Sequence, residues 1–158
     1  MVQRSMEIER KWLVKEIPNL SDSKRVSIKQ GYVASSNKIE VRLRQQGKKF
    51  FHTIKTGTGL ERTEIEVELS KKQFQKLWHA TRGRRLEKVR YSLKWRGKTL
   101  ELDLYKNELA GLSVAEVEFK TKKQAAKFSP PQWFGKEITG KRKYSNAQLA
   151  TKQNRPKV

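Results

Sequence analysis

The chain has 158 residues, enough for one domain with its own core, and 37 Lys plus Arg against 16 Asp plus Glu leave a formal net charge of +21, a field that draws polyanions. It holds no cysteine, which excludes disulfide staples, thiolate metal sites and cysteine nucleophiles and fits a reducing compartment. The two histidines, His52 and His79, lack ligand-like spacing, no apolar run reaches membrane-span length and the N-terminus lacks the apolar core of a leader, so the expectation is a cytoplasmic protein that enters no membrane.

From the start of the chain, apolar and charged residues alternate with the two-residue period of strands that have unlike faces. Residues 6–14 set Met6, Ile8, Trp12 and Val14 against Glu7, Glu9, Lys11 and Leu13. A less regular strand is expected over 24–34. Residues 39–46 oppose Ile39, Val41 and Leu43 to Glu40, Arg42, Arg44 and Gln46, and 48–56 oppose Phe50, His52 and Ile54 to Phe51, Thr53 and Lys55. In 62–69, Thr63, Ile65, Val67 and Leu69 face away from Arg62, Glu64, Glu66 and Glu68. A helix is expected over 70–81, with Ser70 as N-cap and Phe74, Leu77 and Trp78 as its buried stripe. Strands follow over 86–95, where Lys88, Arg90 and Ser92 share a face, over 99–106, where Glu101, Asp103 and Tyr105 do, and over 113–121, with Glu116 and Glu118. Weaker helical periods cover 121–128 and 145–153, separated by Pro130 and Pro131, and the polar tail 152–158 is expected to fray. Turn signals at Asn37, Gly47, 56–59, Gly83, Gly97 and Asn107 make this an antiparallel meander within one domain. About eight strands suffice to close a small barrel, so the expected class is mainly β (α+β): an eight-stranded antiparallel β-barrel with a few flanking helices.

One solvated strand face explains any single alternation, but not the set. Carboxylates recur in pairs at i, i+2 (Glu7/Glu9, Glu64/Glu66, Glu101/Asp103, Glu116/Glu118), and so do cations (Arg42/Arg44, Lys88/Arg90). Such neighbours point the same way about 7 Å apart and repel unless a counter-charge lies between. If these faces turn into one barrel, the carboxylates collect a hard divalent cation, Mg²⁺ or Mn²⁺, and the cations hold the oxygens of a polyphosphate. Such a lining is costly to desolvate, so a hydrated tunnel is expected. The "RGKT" at 96–99 is no P-loop, because that motif needs glycine where Ser92 stands. Trp12 and Trp78 fall on apolar faces as core residues, while Trp95 and Trp133 are left open.

Glu7-Ile8-Glu9-Arg10-Lys11 resembles the ExExK signature of the CYTH, or triphosphate tunnel metalloenzyme, superfamily. The resemblance continues in order through Gln30-Gly31-Tyr32, Val41-Arg42-Leu43-Arg44, Thr53-Ile54-Lys55, residues 62–66, Lys88-Val89-Arg90-Tyr91, Glu101-Leu102-Asp103, Glu116-Val117-Glu118 and Tyr144-Ser145-Asn146. It implies a barrel tunnel, a triphosphate-containing small molecule as substrate and a requirement for Mg²⁺ or Mn²⁺. It further implies phosphate contacts from Lys11, Arg42, Arg44, Lys55, Arg62, Lys88 and Arg90. Asp103, Glu116 and Glu118 would form the principal metal site, with Glu7, Glu9, Glu64 and Glu66 completing it, binding a second ion or orienting water; Lys11 and these four glutamates are the candidate catalytic set. One departure is Lys141, where many relatives carry an acid. The favoured function is metal-dependent hydrolysis of tripolyphosphate or an organic triphosphate. The alternatives are an adenylate cyclase, for which no adenine pocket is legible, and a non-catalytic polyanion or nucleic-acid binder using the basic exterior. Monomer and homodimer both stay open.

Overall fold

The alternation is realised in the computed structural model, which describes residues 2–57 and 61–151. Its strands are β1 (Val2–Val14), β2 (Lys24–Ser35), β3 (Ile39–Gln46), β4 (Lys49–Thr56), β5 (Glu61–Leu69), β6 (Arg85–Trp95), β7 (Lys98–Tyr105), β8 (Ser113–Phe119) and β9 (Phe134–Glu137). All pair antiparallel in the order β5-β4-β3-β2-β6-β7-β8-β1, and β5 returns to β1 to close an eight-stranded barrel. The hand-over on β1 is sharp. Val2 to Ile8 pair with β5, while β9 meets the later residues Trp12 and Val14. The ninth strand, absent from the sequence reading because four residues after a Pro-Pro pair show no periodicity, thus covers an edge that β5 leaves open.

The helices are short: α1 (Lys71–Trp78), α2 (Lys122–Lys127) and α3 (Asn146–Leu149). Ser70 caps α1 as expected, its hydroxyl accepting from Gln73 N while the Gln73 side chain accepts from Ser70 N. The expected 70–81 helix breaks after Trp78 into a 3-10 turn, His79–Thr81. Only Phe74 of the expected stripe is buried in α1; Leu77 is 43% exposed, a correction to the sequence reading. His52 is half-buried on the outer face of β4 and His79 exposed, so neither enters a site. The expected tail at 152–158 and part of the 56–59 turn lie outside the described residues.

Two apolar clusters position the lumen. Outside the barrel, Ile8, Trp12, Leu100, Val117 and Phe119 pack against Ala125 of α2 and Phe134 of β9, with Trp95 and Trp133 partly buried on the same cluster. Met6 and Ile39, expected on a packed face, are 59% and 41% exposed. The second cluster lies inside. Leu13, Tyr32, Leu86, Tyr105 and Val114, all of inward parity, meet Leu112, Ile138, Ala147 and Leu149 from the later loops and α3, filling one end of the barrel. The expected tunnel is therefore stoppered at one end by this plug. Among the described residues no helix is long and apolar enough to cross a membrane.

Candidate active site

The pairing registers decide which face is inside. Glu7 stands opposite Arg62, Glu9 opposite Glu118, Lys11 opposite Glu116, Arg42 opposite Thr53, Lys55 opposite Glu64 and Arg90 opposite Asp103. Because inward residues pair only with inward residues, one strand's parity propagates round the barrel. Charge is then spread unevenly over the walls. β3 and β6 carry Arg42, Arg44 and Arg90, with Glu40 of β3 and neutral Tyr32 of β2 beside them; β5, β7, β8 and β1 carry Glu64, Glu66, Glu101, Glu116, Glu118, Glu7 and Glu9, with the cations Arg62 and Lys11 among them and Lys55 on β4. The walls enclose a cavity of about 330 Å³, lined by twelve of the fourteen expected site residues: Glu7, Glu9, Lys11, Arg42, Arg44, Lys55, Arg62, Glu64, Glu66, Arg90, Glu116 and Glu118.

Lys88 and Asp103, expected as phosphate and metal contacts, are the exceptions. Both lie behind the cavity wall with fully buried side chains, Lys88 Nζ donating to Asp103 Oδ2 at 2.5 Å. Arg90 forks onto the same carboxylate, Nε to Oδ1 at 2.7 Å and Nη2 to Oδ2 at 2.8 Å. Burial opposes ionisation of Asp103, yet Arg90 and Lys88 hold its pKa below the ordinary value; burial pulls Lys88 down to about 8 against the attraction of Asp103. Both Asp103 oxygens are thus engaged in fixing Arg90, whose Nη1 reaches Glu101 at 2.6 Å.

Several ion pairs join neighbouring or next-but-one strands on the inner face. Lys55 Nζ contacts Glu7 at 2.9 Å and Glu64 at 3.3 Å, Lys11 Nζ contacts Glu116 at 3.1 Å, and Arg62 Nη2 donates to Glu40 at 2.5 Å. Burial works against Glu116, but Lys11 and Arg90 hold it well below the carboxylate range. Glu9 differs. Burial, then Glu116 on the neighbouring strand, raises it to about 7, and burial followed by Glu7 and Glu101 raises Glu118. These two directly opposed carboxylates close no ion pair among the described residues. On the opposite wall the converse holds: burial and then the charges of Arg42 and Arg90 lower Arg44 to about 10. Glu9 and Glu118 lack a paired cation, and Arg44 lacks a paired anion, among the described residues.

That donor set fits a divalent cation. Among the described residues no three carboxylates converge into a ready-made cage. Mg²⁺ and Mn²⁺ need none, since Mg²⁺ typically binds through one or two carboxylates and completes its shell with water and substrate phosphate oxygens. The remaining lining had been given no site role from sequence. Glu40 and Glu101 share the inward parity; Tyr32 and Asn146, marked only as parts of the family resemblance, carry no charge to give them a role. Gln30 donates to Tyr32 Oη at 2.8 Å and Tyr32 also borders the plug, while Tyr105 Oη donates to Asn146 Oδ1 at 2.5 Å.

A CYTH domain model matches residues 5–151. The chain belongs to the CYTH domain family. An inorganic triphosphatase of Nitrosomonas europaea is 45% identical over 146 residues, covering 91% of this chain and 96% of that protein. An inorganic triphosphatase of Acetivibrio thermocellus is 34% identical, covering 90% and 92%. A crystal structure of an inorganic triphosphatase, 43% identical, superposes with a TM-score of 0.69 over 91% of this chain and 93% of that one. This CYTH chain therefore aligns with such relatives through nearly its whole length, tunnel strands included.

Proposed function

We propose that this CYTH protein is a single-domain, divalent-metal-dependent triphosphatase whose substrate is inorganic tripolyphosphate. The observation that carries the reading is the uneven distribution of charge in the lumen, an arginine cluster on β3 and β6 and a carboxylate majority on β1, β5, β7 and β8 in which Lys11 and Arg62 are interspersed. A metal–triphosphate complex satisfies both walls at once. The naming of the full-length relatives as inorganic triphosphatases supports the substrate.

In this reading Arg42, Arg44 and Arg90 grip the phosphate oxygens by guanidinium forks, and Lys11, Lys55 and Arg62 add charge along the acidic wall. Glu9, Glu116 and Glu118 would hold Mg²⁺ or Mn²⁺, which would offset the negative charge that develops on the phosphate. Glu64 and Glu66 orient the attacking water, and Glu7, held by Lys55, keeps that ammonium in the lumen. Water's oxygen bonds to a terminal phosphorus, the bridging P–O bond breaks, and pyrophosphate and orthophosphate leave. Lys88 and Asp103 act through Arg90, which they fix in place.

The test is incubation with tripolyphosphate, ATP and thiamine triphosphate in Mg²⁺, Mn²⁺ or chelator, with product identification. Orthophosphate and pyrophosphate from tripolyphosphate, abolished by chelator, are expected. Absence of metal-dependent turnover on all three would overturn the proposal, and cyclic AMP from ATP would redirect it.

A further inference from the structure

A second cavity, of about 430 Å³, adjoins the tunnel and shares Glu7, Glu9, Lys11, Glu40 and Arg62 with it. Its own wall comes from two places. The β2–β3 turn supplies Ser35, Ser36 and Asn37, and the segment leading into the plug supplies Lys141, Arg142 and Gln148. That wall adds hydroxyls, amides and two cations beside the apolar Ile138, Ala147 and the ring of Tyr144, and the cavity's carboxylates are the shared Glu7, Glu9 and Glu40. Lys141 and Arg142 are exposed and make no ion pair among the described residues. At the junction Arg62 reaches Glu40 through one nitrogen, while its Nε is buried without a hydrogen-bond partner. Of the shared acids, Glu40 is held by Arg62 and Glu7 by Lys55.

Donors that line a cavity, two free cations and an under-used guanidinium at the doorway describe a site for an anionic chain rich in acceptor oxygens. We propose that this side cavity is a second phosphate subsite, which takes the groups of a linear polyphosphate beyond the three held in the tunnel. The inference rests on the tunnel holding a triphosphate, and it makes Lys141 and Arg142 determinants of chain length. The chain enters from the side cavity, passes Arg62 and presents its end to the lumen.

The experiment measures equilibrium binding of methylene-bridged, non-hydrolysable tri- and tetraphosphate in Mg²⁺, for the wild type and for the Lys141→Ala/Arg142→Ala variant. Affinity for the tetraphosphate is expected to fall about tenfold in the variant, the scale of one or two lost charge-assisted contacts, while the triphosphate stays within about twofold. The KM for tetrapolyphosphate should rise by the same factor, with kcat unchanged. Equal losses for both lengths would reduce the two cations to general attraction and overturn the subsite, as would no loss for either. A variant that weakens ATP and leaves tetraphosphate untouched would make the cavity a nucleoside site and also overturn it. Failure of the wild type to bind the triphosphate would instead sink the tunnel reading, so the two failures are distinguishable.

Discussion

Asp103, expected in the metal site, is fully buried behind the cavity wall. Its partners Lys88 and Arg90 occupy both carboxylate oxygens, and a buried pair broken by removing one charge costs about 3–5 kcal/mol because the partner is left uncompensated. Asp103→Asn should therefore lower the thermal midpoint markedly and reduce kcat through a misplaced Arg90, while Mg²⁺ affinity measured by titration stays near wild type. A lost metal affinity with an intact midpoint would return Asp103 to the metal. Glu9 makes the opposite case. Its pKa is raised to about 7 in the fold from an ordinary 4.5, so the fold favours its protonated form. Its contribution to stability is fully present below about pH 4.5 and is lost as pH rises to 7. Glu9→Gln, which imitates the protonated acid, should match the wild type near pH 4.5 and exceed it in thermal midpoint at pH 7 in chelator. An unchanged difference across that window would show that Glu9 is not crowded in the metal-free protein.

At the scale of elements, Gln30-Gly31-Tyr32 could be marked from sequence without a reason for its glycine. The packing supplies one. A Cβ on Gly31 would lie 2.6 Å from Thr81 Cβ, on the 3-10 turn after α1, and Thr81 is fully buried with its hydroxyl donating to Trp78 O. Gly31→Ala should cost about 1–3 kcal/mol as overpacking, read as a lower denaturant midpoint with an unchanged slope. The eight barrel strands were legible because each carries several periods of alternation, and their inward parity was legible because charge marks it. β9 was not, since its place depends on β1 having an uncovered edge and on Arg10 reaching Glu137 through two nitrogens, at 2.8 and 2.7 Å. Leu77 was misjudged because helical period identifies a stripe and not how far the sheet beneath extends; α1 buries Phe74 over Phe50, and Leu77 overhangs.

For the whole molecule, the lumen concentrates half of the chain's sixteen acids while the rest carries the excess basic charge. Folding gains little from either crowded wall until the complementary ion arrives, so ligand and metal should stabilise together. At a hundred times its dissociation constant, a ligand bound only by the folded state adds about 2.7 kcal/mol. The methylene-bridged triphosphate with Mg²⁺ should raise the thermal midpoint by more than the sum of either alone, and simple additivity would separate the two sites.

The one-dimensional pattern determined the strand count of the barrel, the inward direction of its charge and fourteen expected site residues, twelve of which line the cavity. Each of these depends on parity, and parity survives any packing of a closed antiparallel sheet. Three-dimensional packing decided what parity cannot carry: that Lys88 and Asp103 neutralise one another behind the wall, that inward apolar residues and α3 stopper one end, and that Lys141 and Arg142 stand beside the lumen. Those outcomes turn on distances between residues far apart in the chain, set by how side chains fill space and not by the order in which they occur.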